Sequence, residues 1–529
     1  MNQVKNKEEK VVRLAKPVRK GLLRLVFSRF LIFFLLMLFQ LGIFFFLFEW
    51  MNVVVPYFAS LQILLTVMII IYLFNSRMDP SAKLTWMWII ALMPMAGGFF
   101  LLFSRVNLGY RKLSRDVREQ IDETRTILAQ NSQVLREVKE DGSGTDALVR
   151  YLNRSGCFPV YKDTAVRYFP SGEDMLEPLL KELEKAEEFI FLEYFIIEEG
   201  YVWGRILDIL LEKARAGVDV RVLYDGMCEM FHLRPGYFRL LEQQGIQAKT
   251  FSPIKPLLSS HYNYRDHRKI LVVDGRVAFN GGINLADEYM NRIHPFGYWK
   301  DAAVMLKGRG VESFTLMFLQ MWNLSVNEAL YHPYLHPDFP SLPERKQAGY
   351  VLPFADSPVD EDKAGENVYM DILYRAEHHV YIMTPYLILD GELENALKYA
   401  AQRGVDVRII LPGIPDKKIA YSLAKSHYHS LVGAGVRIYE YTPGFVHAKV
   451  VLGDDERAVV GTINFDYRSF YHHFECATYL YRTPCIRDIR EDFDRTLSQC
   501  REVTEETMRH EKWYYRLMGQ VVKFVAPLF

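Results

Sequence analysis

The chain has 529 residues, with 64 basic and 64 acidic side chains, so its formal net charge is zero. That balance argues against a protein built to coat nucleic acid, which needs a basic field, and the length calls for more than one domain. Half of the residues are hydrophobic and five are cysteines without a C-x-x-C pair. This excludes a disulfide framework and a zinc knuckle, and points to apolar segments beyond an ordinary core.

The first 29 residues carry nine Lys/Arg and read as a basic cytoplasmic tail, 1–29. Three uncharged apolar runs follow, Phe30–Phe48, Tyr57–Phe74 and Leu84–Phe103. Each is close to the ~20 residues that a helix needs to cross a bilayer core, so 30–104 is expected to hold N-terminal transmembrane helices. A second basic stretch (Arg105, Arg111, Lys112, Arg115, Arg118) lies beyond the third run. Three full crossings would put the two basic ends on opposite sides. Either one run is re-entrant or interfacial, or the charge rule is broken. Residues 105–145 read as a polar helical linker.

From about Asp146 the composition becomes that of an α/β protein, and it repeats. EEFIFLEYFII (187–197) and HHVYIMTPYLIL (378–389) are buried-strand runs, each followed by a helical stretch and then by RAGVDVRVLYDG (215–226) or QRGVDVRIILPG (402–413). Gly217 and Gly404 are placed as helix C-caps. The strand–helix alternation predicts a largely parallel sheet covered on both faces in each half. The first domain is set at 146–330, a proline-rich connector at 331–347, and the second domain at 348–500. The remainder, 501–529, reads as an amphipathic tail, whose Trp513–Phe529 is apolar enough for an interface.

Each half contains one strand with the same polar residues: His267, Lys269 and Asp274 in HRKILVVDG, and His447, Lys449 and Asp454 in HAKVVLGDDE. Residues two apart on a strand face the same way, so each histidine projects with its lysine. The aspartates fall an odd number of residues away and face the turn, as structural partners. NGGIN and VGTIN follow, and Asn284 and Asn464 can donate amide N–H to an oxyanion. Two imidazoles, two ammoniums and two amides around one phosphate suit phosphodiester exchange: one histidine attacks phosphorus and the other protonates the leaving alcohol. No metal and no cofactor is required by this chemistry. Asp301 and Glu475, lone carboxylates entering apolar strands downstream of the two motifs, are candidates for orienting the histidines.

These phrases resemble the phospholipase D superfamily, whose signature is HxKxxxxD followed by G-[SGT]-x-N in two α/β domains. The chain is most similar to the bacterial cardiolipin synthases of that superfamily, through NYRDHRKILVVDGRVAFNGGINLADEY, GTINFDYRSFYHHFE and the ending VAPLF. NSRMDPSAKLTWMWIIALMPMAGGFFLLFSR resembles the family's N-terminal membrane hairpin, to which Phe30–Phe48 adds an extra run. The resemblance implies two duplicated α/β/α sandwich domains in a pseudo-two-fold arrangement. It implies His267 as nucleophile, His447 as acid/base, and Lys269, Lys449, Asn284 and Asn464 as phosphate ligands. The motif aspartates Asp274 and Asp454 belong to the catalytic signature, and Gly282 stands where many members carry serine. The implied reaction joins two phosphatidylglycerol molecules into cardiolipin and glycerol through a phosphohistidine, in a multi-pass protein of the bacterial plasma membrane with cytoplasmic catalytic domains. Membrane lipids are then the partners, with no role for nucleic acid. A phospholipase D hydrolase or a phosphatidylserine synthase would use the same site.

Overall fold

A computed structural model describes residues 12–15, parts of 42–53, 57–76, 78–105, 108–253, 264–324, 329–337, 348–360, 362–511 and 513–525. The first half contains strands β1 (Thr164–Phe169), β2 (Phe189–Tyr194), β3 (Asp219–Asp225), β4 (Gln247–Phe251), β5 (Lys269–Val273), β6 (Val277–Gly281) and β7 (Ala303–Gly308). They form one sheet in the order β1-β7-β6-β5-β2-β3-β4. The second half contains β8 (Tyr350–Asp356), β9 (His379–Met383), β10 (Asp406–Pro412), β11 (Arg437–Tyr441), β12 (Val450–Gly453), β13 (Arg457–Gly461) and β14 (His473–Tyr481). Its order is β8-β14-β13-β12-β9-β10-β11, the same arrangement strand for strand. A further strand, β15 (Cys500–Glu502), pairs with the β11 edge and straddles the boundary drawn at 500.

The sheets are mixed rather than largely parallel. β2, β3 and β4 run parallel to one another, while β1, β7, β6 and β5 are joined antiparallel. The second half repeats this. The cause is the turn inside the motif. Asp274 and Gly275 take φ of 51° and 63°, and the chain folds straight back from β5 into β6. So short a connection can join only antiparallel neighbours, whereas parallel ones need a crossover helix.

Two such helices, Gly172–Glu184 and Tyr201–Arg215, cover one face of the first sheet through Leu176, Leu179, Trp203 and Ile206, which pack with Ile190, Leu192 and Leu271. The alternate residues Phe191, Ile270 and Val272 point the other way, against Phe314 and Phe318 of the buried helix Val311–Trp322. Period-two strands thus bury both faces. Gly217 and Gly404 end helices at φ of 94° and 93°, as their sequence context predicts.

The N-terminal apolar runs take a different form from the one expected. The first lies largely outside the described residues. The second is a 17-residue helix, Phe58–Phe74. The third is broken at Met93 into the helices Pro80–Leu92 and Pro94–Arg105, because Pro94 has no N–H to continue the first and its ring disfavours helical backbone before it. Among the described residues, no helix is long and apolar enough to cross a membrane. The three helices pack together around Leu73, Ile90 and Leu101. Helix Trp513–Val525 lies against helix Lys418–Gly433, where Gly519 lets the backbones approach: a Cβ there would sit 2.4 Å from the Ser422 carbonyl oxygen. Its far end reaches the apolar helices, with Thr85 Oγ1 donating to the Phe524 carbonyl at 2.7 Å.

Candidate active site

Two short parallel pairings stitch the halves together. Arg265–Asp266, just before the first motif, pairs with His473–Phe474, and the His267 N–H donates to the Phe474 carbonyl at 2.9 Å. Reciprocally, Gly444–Val446, just before the second motif, pairs with Tyr298–Lys300, and the His447 N–H donates to the Lys300 carbonyl at 2.6 Å. The residue following each partner strand is one of the two candidate carboxylates. Each is therefore delivered to the histidine of the opposite half.

His267 Nδ1 lies 2.9 Å from both Glu475 oxygens, and His447 Nδ1 lies 2.7 Å from Asp301 Oδ2. The sequence brackets each carboxylate with its own half's motif; the structure crosses them. Both histidines and both carboxylates are buried. Phe195 packs edge-on against His267, while Tyr289 and Trp299 enclose His447. An imidazole whose Nδ1–H is held by a carboxylate presents Nε2 as the reacting atom.

Lys269 Nζ donates to the His267 carbonyl at 2.5 Å, and Lys449 makes the same bond to His447. Each ammonium is thereby parked beside its histidine. Burial pushes Lys269 down to about 8 and Lys449 to about 7, against the pull of Glu475 and Asp301. Burial and Lys449 lower His447 to about 4 against the opposing pull of Asp301. His267 falls well below its ordinary value through burial, Lys269 and further cations that include Lys449 of the other half. Each ammonium thus acts across the junction as well as on its own histidine. The carboxylates diverge. Burial drives Glu475 well above the usual range despite Lys269, Thr462 and Ser469. At Asp301 burial also pushes upward, but His447 and Lys449 outweigh it and hold the carboxyl low.

Asn284 Oδ1 accepts from the Ile196 N–H at 3.1 Å, which fixes the amide, the Asn284 side chain also hydrogen-bonds Tyr289, and Asn464 Oδ1 has no hydrogen-bond partner among the described residues. Asp274 and Asp454 sit behind the motif strands. Asp274 accepts from the N–H groups of Glu187, Glu188 and Phe189 at 2.8–2.9 Å, and Asp454 from those of Glu377, His378 and His379 at 2.8–2.9 Å. These carboxylates clamp the entries of β2 and β9, the structural role that strand parity predicts.

Three participants are absent from the sequence reading. Thr462 and Ser469 donate hydroxyls to Glu475, the latter at 2.7 Å, and His473 lies with its ring centroid 5.1 Å from that of His267. Thr462 had a visible signal, since VGTIN places a hydroxyl where NGGIN has Gly282. Among the described residues, two groups have spacing compatible with a metal: His267, His473 and Glu475, and Glu366, Asp390 and Glu392. The Lys269 charge acts on the first, and the Lys363 ammonium lies 3.3–3.8 Å from all three carboxylates of the second. In both, the resident cation opposes another.

A family model described as "Cardiolipin synthase, PLD-like domain" matches residues 179–322 and 369–497, one match in each half. The cardiolipin synthase of Halalkalibacterium halodurans is 33% identical over 90% of this chain and 95% of its own length. That of Alkalihalophilus pseudofirmus is 34% identical over 89% and 94%. Among solved structures, phosphatidylserine synthase of Haemophilus influenzae matches with a TM-score of 0.55 at 14% identity, covering 73% of this chain and 97% of its own, a likeness of fold. With a duplicated motif, a duplicated sheet and near full-length similarity to these relatives, the chain belongs to the cardiolipin synthases of the phospholipase D-like family.

Proposed function

We propose that the protein transfers a phosphatidyl group from one phosphatidylglycerol to the terminal hydroxyl of another, with His267 as nucleophile and His447 as acid and base. The crossed histidine–carboxylate pairs carry this reading. Ionised Asp301 favours a proton on His447, whereas Glu475, pushed upward by burial, leaves His267 the more readily neutral of the two. Nε2 of His267 attacks phosphorus, the P–O bond to glycerol breaks, and His447 gives its proton to the departing oxygen. The acceptor hydroxyl then returns a proton to His447 as its oxygen displaces the P–N bond. Lys269, Lys449, Asn284 and Asn464 neutralise the phosphoryl oxygens in both steps. A bound phosphodiester opposes the ammoniums that depress His447, which raises its pKa when the acid is needed.

Attachment to a bilayer through the N-terminal apolar helices completes the proposal. With the third run broken into segments of 13 and 12 residues and Phe58–Phe74 17 residues long, these helices present a packed apolar cluster to the bilayer. The segment 12–15 packs on the first catalytic half, with the Ala15 N–H 3.3 Å from Glu199 Oε1, which supports a common side for both.

Full-length protein in membranes of phosphatidylglycerol tests the reaction. Cardiolipin and free glycerol are expected in equal amounts, and phosphatidic acid as sole product would overturn the proposal. His267→Ala should abolish the acid-labile phosphoenzyme and reduce synthesis by at least about 1000-fold; label retained on the variant would reassign the nucleophile.

A further inference from the structure

The proposed reaction asks for a second anion site that the paired motifs do not supply. Donor and acceptor are both phosphodiesters, and the acceptor's phosphate lies one glycerol unit from its attacking hydroxyl. The motif residues are occupied by the phosphorus being transferred. An acceptor held only by its hydroxyl would compete poorly with water.

Beside His267, three nitrogenous side chains lack committed partners. His473 is buried with its ring against His267, its Nδ1 makes no hydrogen bond, and the nearest carboxylate oxygen, Glu475 Oε1, is 3.5 Å away. Glu475 is already engaged by His267, Thr462 and Ser469. Arg468 lies on the short segment Tyr467–Tyr471, between Asn464 and Glu475, with its side chain exposed. No ion pair or hydrogen bond from its guanidinium is found among the described residues, although the charge of Asp466, which caps the Ser469 N–H at 2.8 Å, acts on it. Lys417 follows β10 at the carboxyl end of its sheet, exposed, with its ammonium 5.1 Å from the Tyr386 ring and only a loose 3.9 Å pairing to Asp416. Arg468 is the strongest of the charges acting on both His472 and His473, and Lys417 acts on His473 and Asp466 as well. The geometry agrees: Tyr386, which Lys417 touches, precedes Leu387, which pairs with Phe465, and the His472 N–H donates to the Arg468 carbonyl at 2.9 Å, so both cations lie on the His473 side of the nucleophile.

We propose that Arg468 and Lys417, with His473 between them and His267, form a second anion subsite that binds the phosphodiester of the acceptor lipid and delivers its glycerol hydroxyl to the phosphohistidine. A guanidinium and an ammonium at the mouth suit a lipid phosphate, and the unbonded imidazole nitrogen can take a hydrogen bond from the glycerol. The subsite rests on the transferase reading and makes acceptor choice a property of this corner rather than of the paired motifs.

The test compares two acceptors that differ in the phosphate. Full-length wild-type protein in phosphatidylglycerol vesicles is given radiolabelled free glycerol, so that cardiolipin formation and headgroup exchange into phosphatidylglycerol are read together. For Arg468→Gln and Lys417→Gln, the ratio of cardiolipin to glycerol exchange should fall at least about tenfold, and Arg468→Lys should recover part of it. Thermal unfolding of each variant close to wild type checks that a changed ratio is not a folding loss. Loss of both products in proportion, or an unchanged ratio, would overturn the subsite. Absence of both products from the wild type would instead overturn the transferase reading beneath it.

Discussion

The two halves share strand order, motif and turn, yet their carboxylates sit in different surroundings. Glu475 accepts from Thr462 and Ser469 as well as from His267. Asp301 has the Ala302 N–H at 2.8 Å and His447, and where Thr462 stands in the second half the first has Gly282. A Cβ on Gly282 would lie 2.1 Å from Asp301 Oδ1, so the glycine admits the carboxylate itself into the space of the side chain. A duplicated fold has thereby acquired two unequal histidines. One is paired with a low, ionised carboxylate and the other with a carboxyl that burial drives upward. The Thr462 hydroxyl itself pulls Glu475 down, so the difference comes from burial, which outweighs the donors and Lys269 at Glu475 and is outweighed by His447 and Lys449 at Asp301.

Changes at the carboxylates should break this asymmetry most strongly. Glu475→Gln is expected to slow phosphoenzyme formation, and Asp301→Asn to slow protonation of the leaving alcohol, each about 10- to 100-fold. Rapid-quench measurement of the labelled intermediate separates them, and a donor lipid with a more acidic leaving alcohol should rescue only the Asp301 variant. Rescue of the Glu475 variant instead would reverse the two roles.

Gly282→Ala should displace Asp301 and cost about tenfold in turnover, together with about 1–3 kcal/mol of stability from overpacking. Thr462→Ser keeps the hydroxyl and should stay within about threefold of wild type. Equal losses at the two positions, measured as initial rates of cardiolipin release, would remove the asymmetry from the explanation.

The lysines predict a pH effect on binding. Their free-enzyme values of about 7 for Lys449 and about 8 for Lys269 lie below the ordinary lysine range, so raising pH through this window removes positive charge before substrate binds. KM for phosphatidylglycerol should rise several-fold between pH 7 and 9, with kcat affected less. Lys449→Arg stays charged and should flatten the lower part of that rise.

The smallest expected effect on chemistry comes from Asp274 and Asp454. Substitution by Asn leaves fewer acceptor sites for three backbone N–H groups and should cost about 1–3 kcal/mol of stability. Asp274→Asn should cost more, because Asp274 is buried and Asp454 is half-buried. Thermal unfolding in detergent measures this; a collapse of kcat in folded enzyme would return these residues to the chemistry.

Much of the molecule was legible in the chain. The repeat, the strand runs, the glycine caps and the projection of His with Lys all follow from periodicity and local conformational preference, which act over a few residues. Parity alone turned Asp274 and Asp454 away from their histidines. Chain alternation suggested a largely parallel sheet, but the Asp274–Gly275 turn, and its counterpart at Asp454 and Asp455, fold the chain straight back, so that each motif strand pairs antiparallel with the next. An apolar run reads the same whether or not Pro94 divides it into two helices, so hydropathy overstated the third segment.

What the sequence by itself determined is the inventory of the site: two imidazoles, two ammoniums, two amides and two buried carboxylates, on strands whose facing is set by a period of two. Only the tertiary structure decided which carboxylate serves which histidine. Asp301 and His267 are neighbours in the chain's order, but the parallel pairings of Arg265–Asp266 with His473–Phe474 and of Gly444–Val446 with Tyr298–Lys300 bring each motif under the opposite half. Pairing between distant segments depends on the docking of two finished sheets, and no local pattern encodes it.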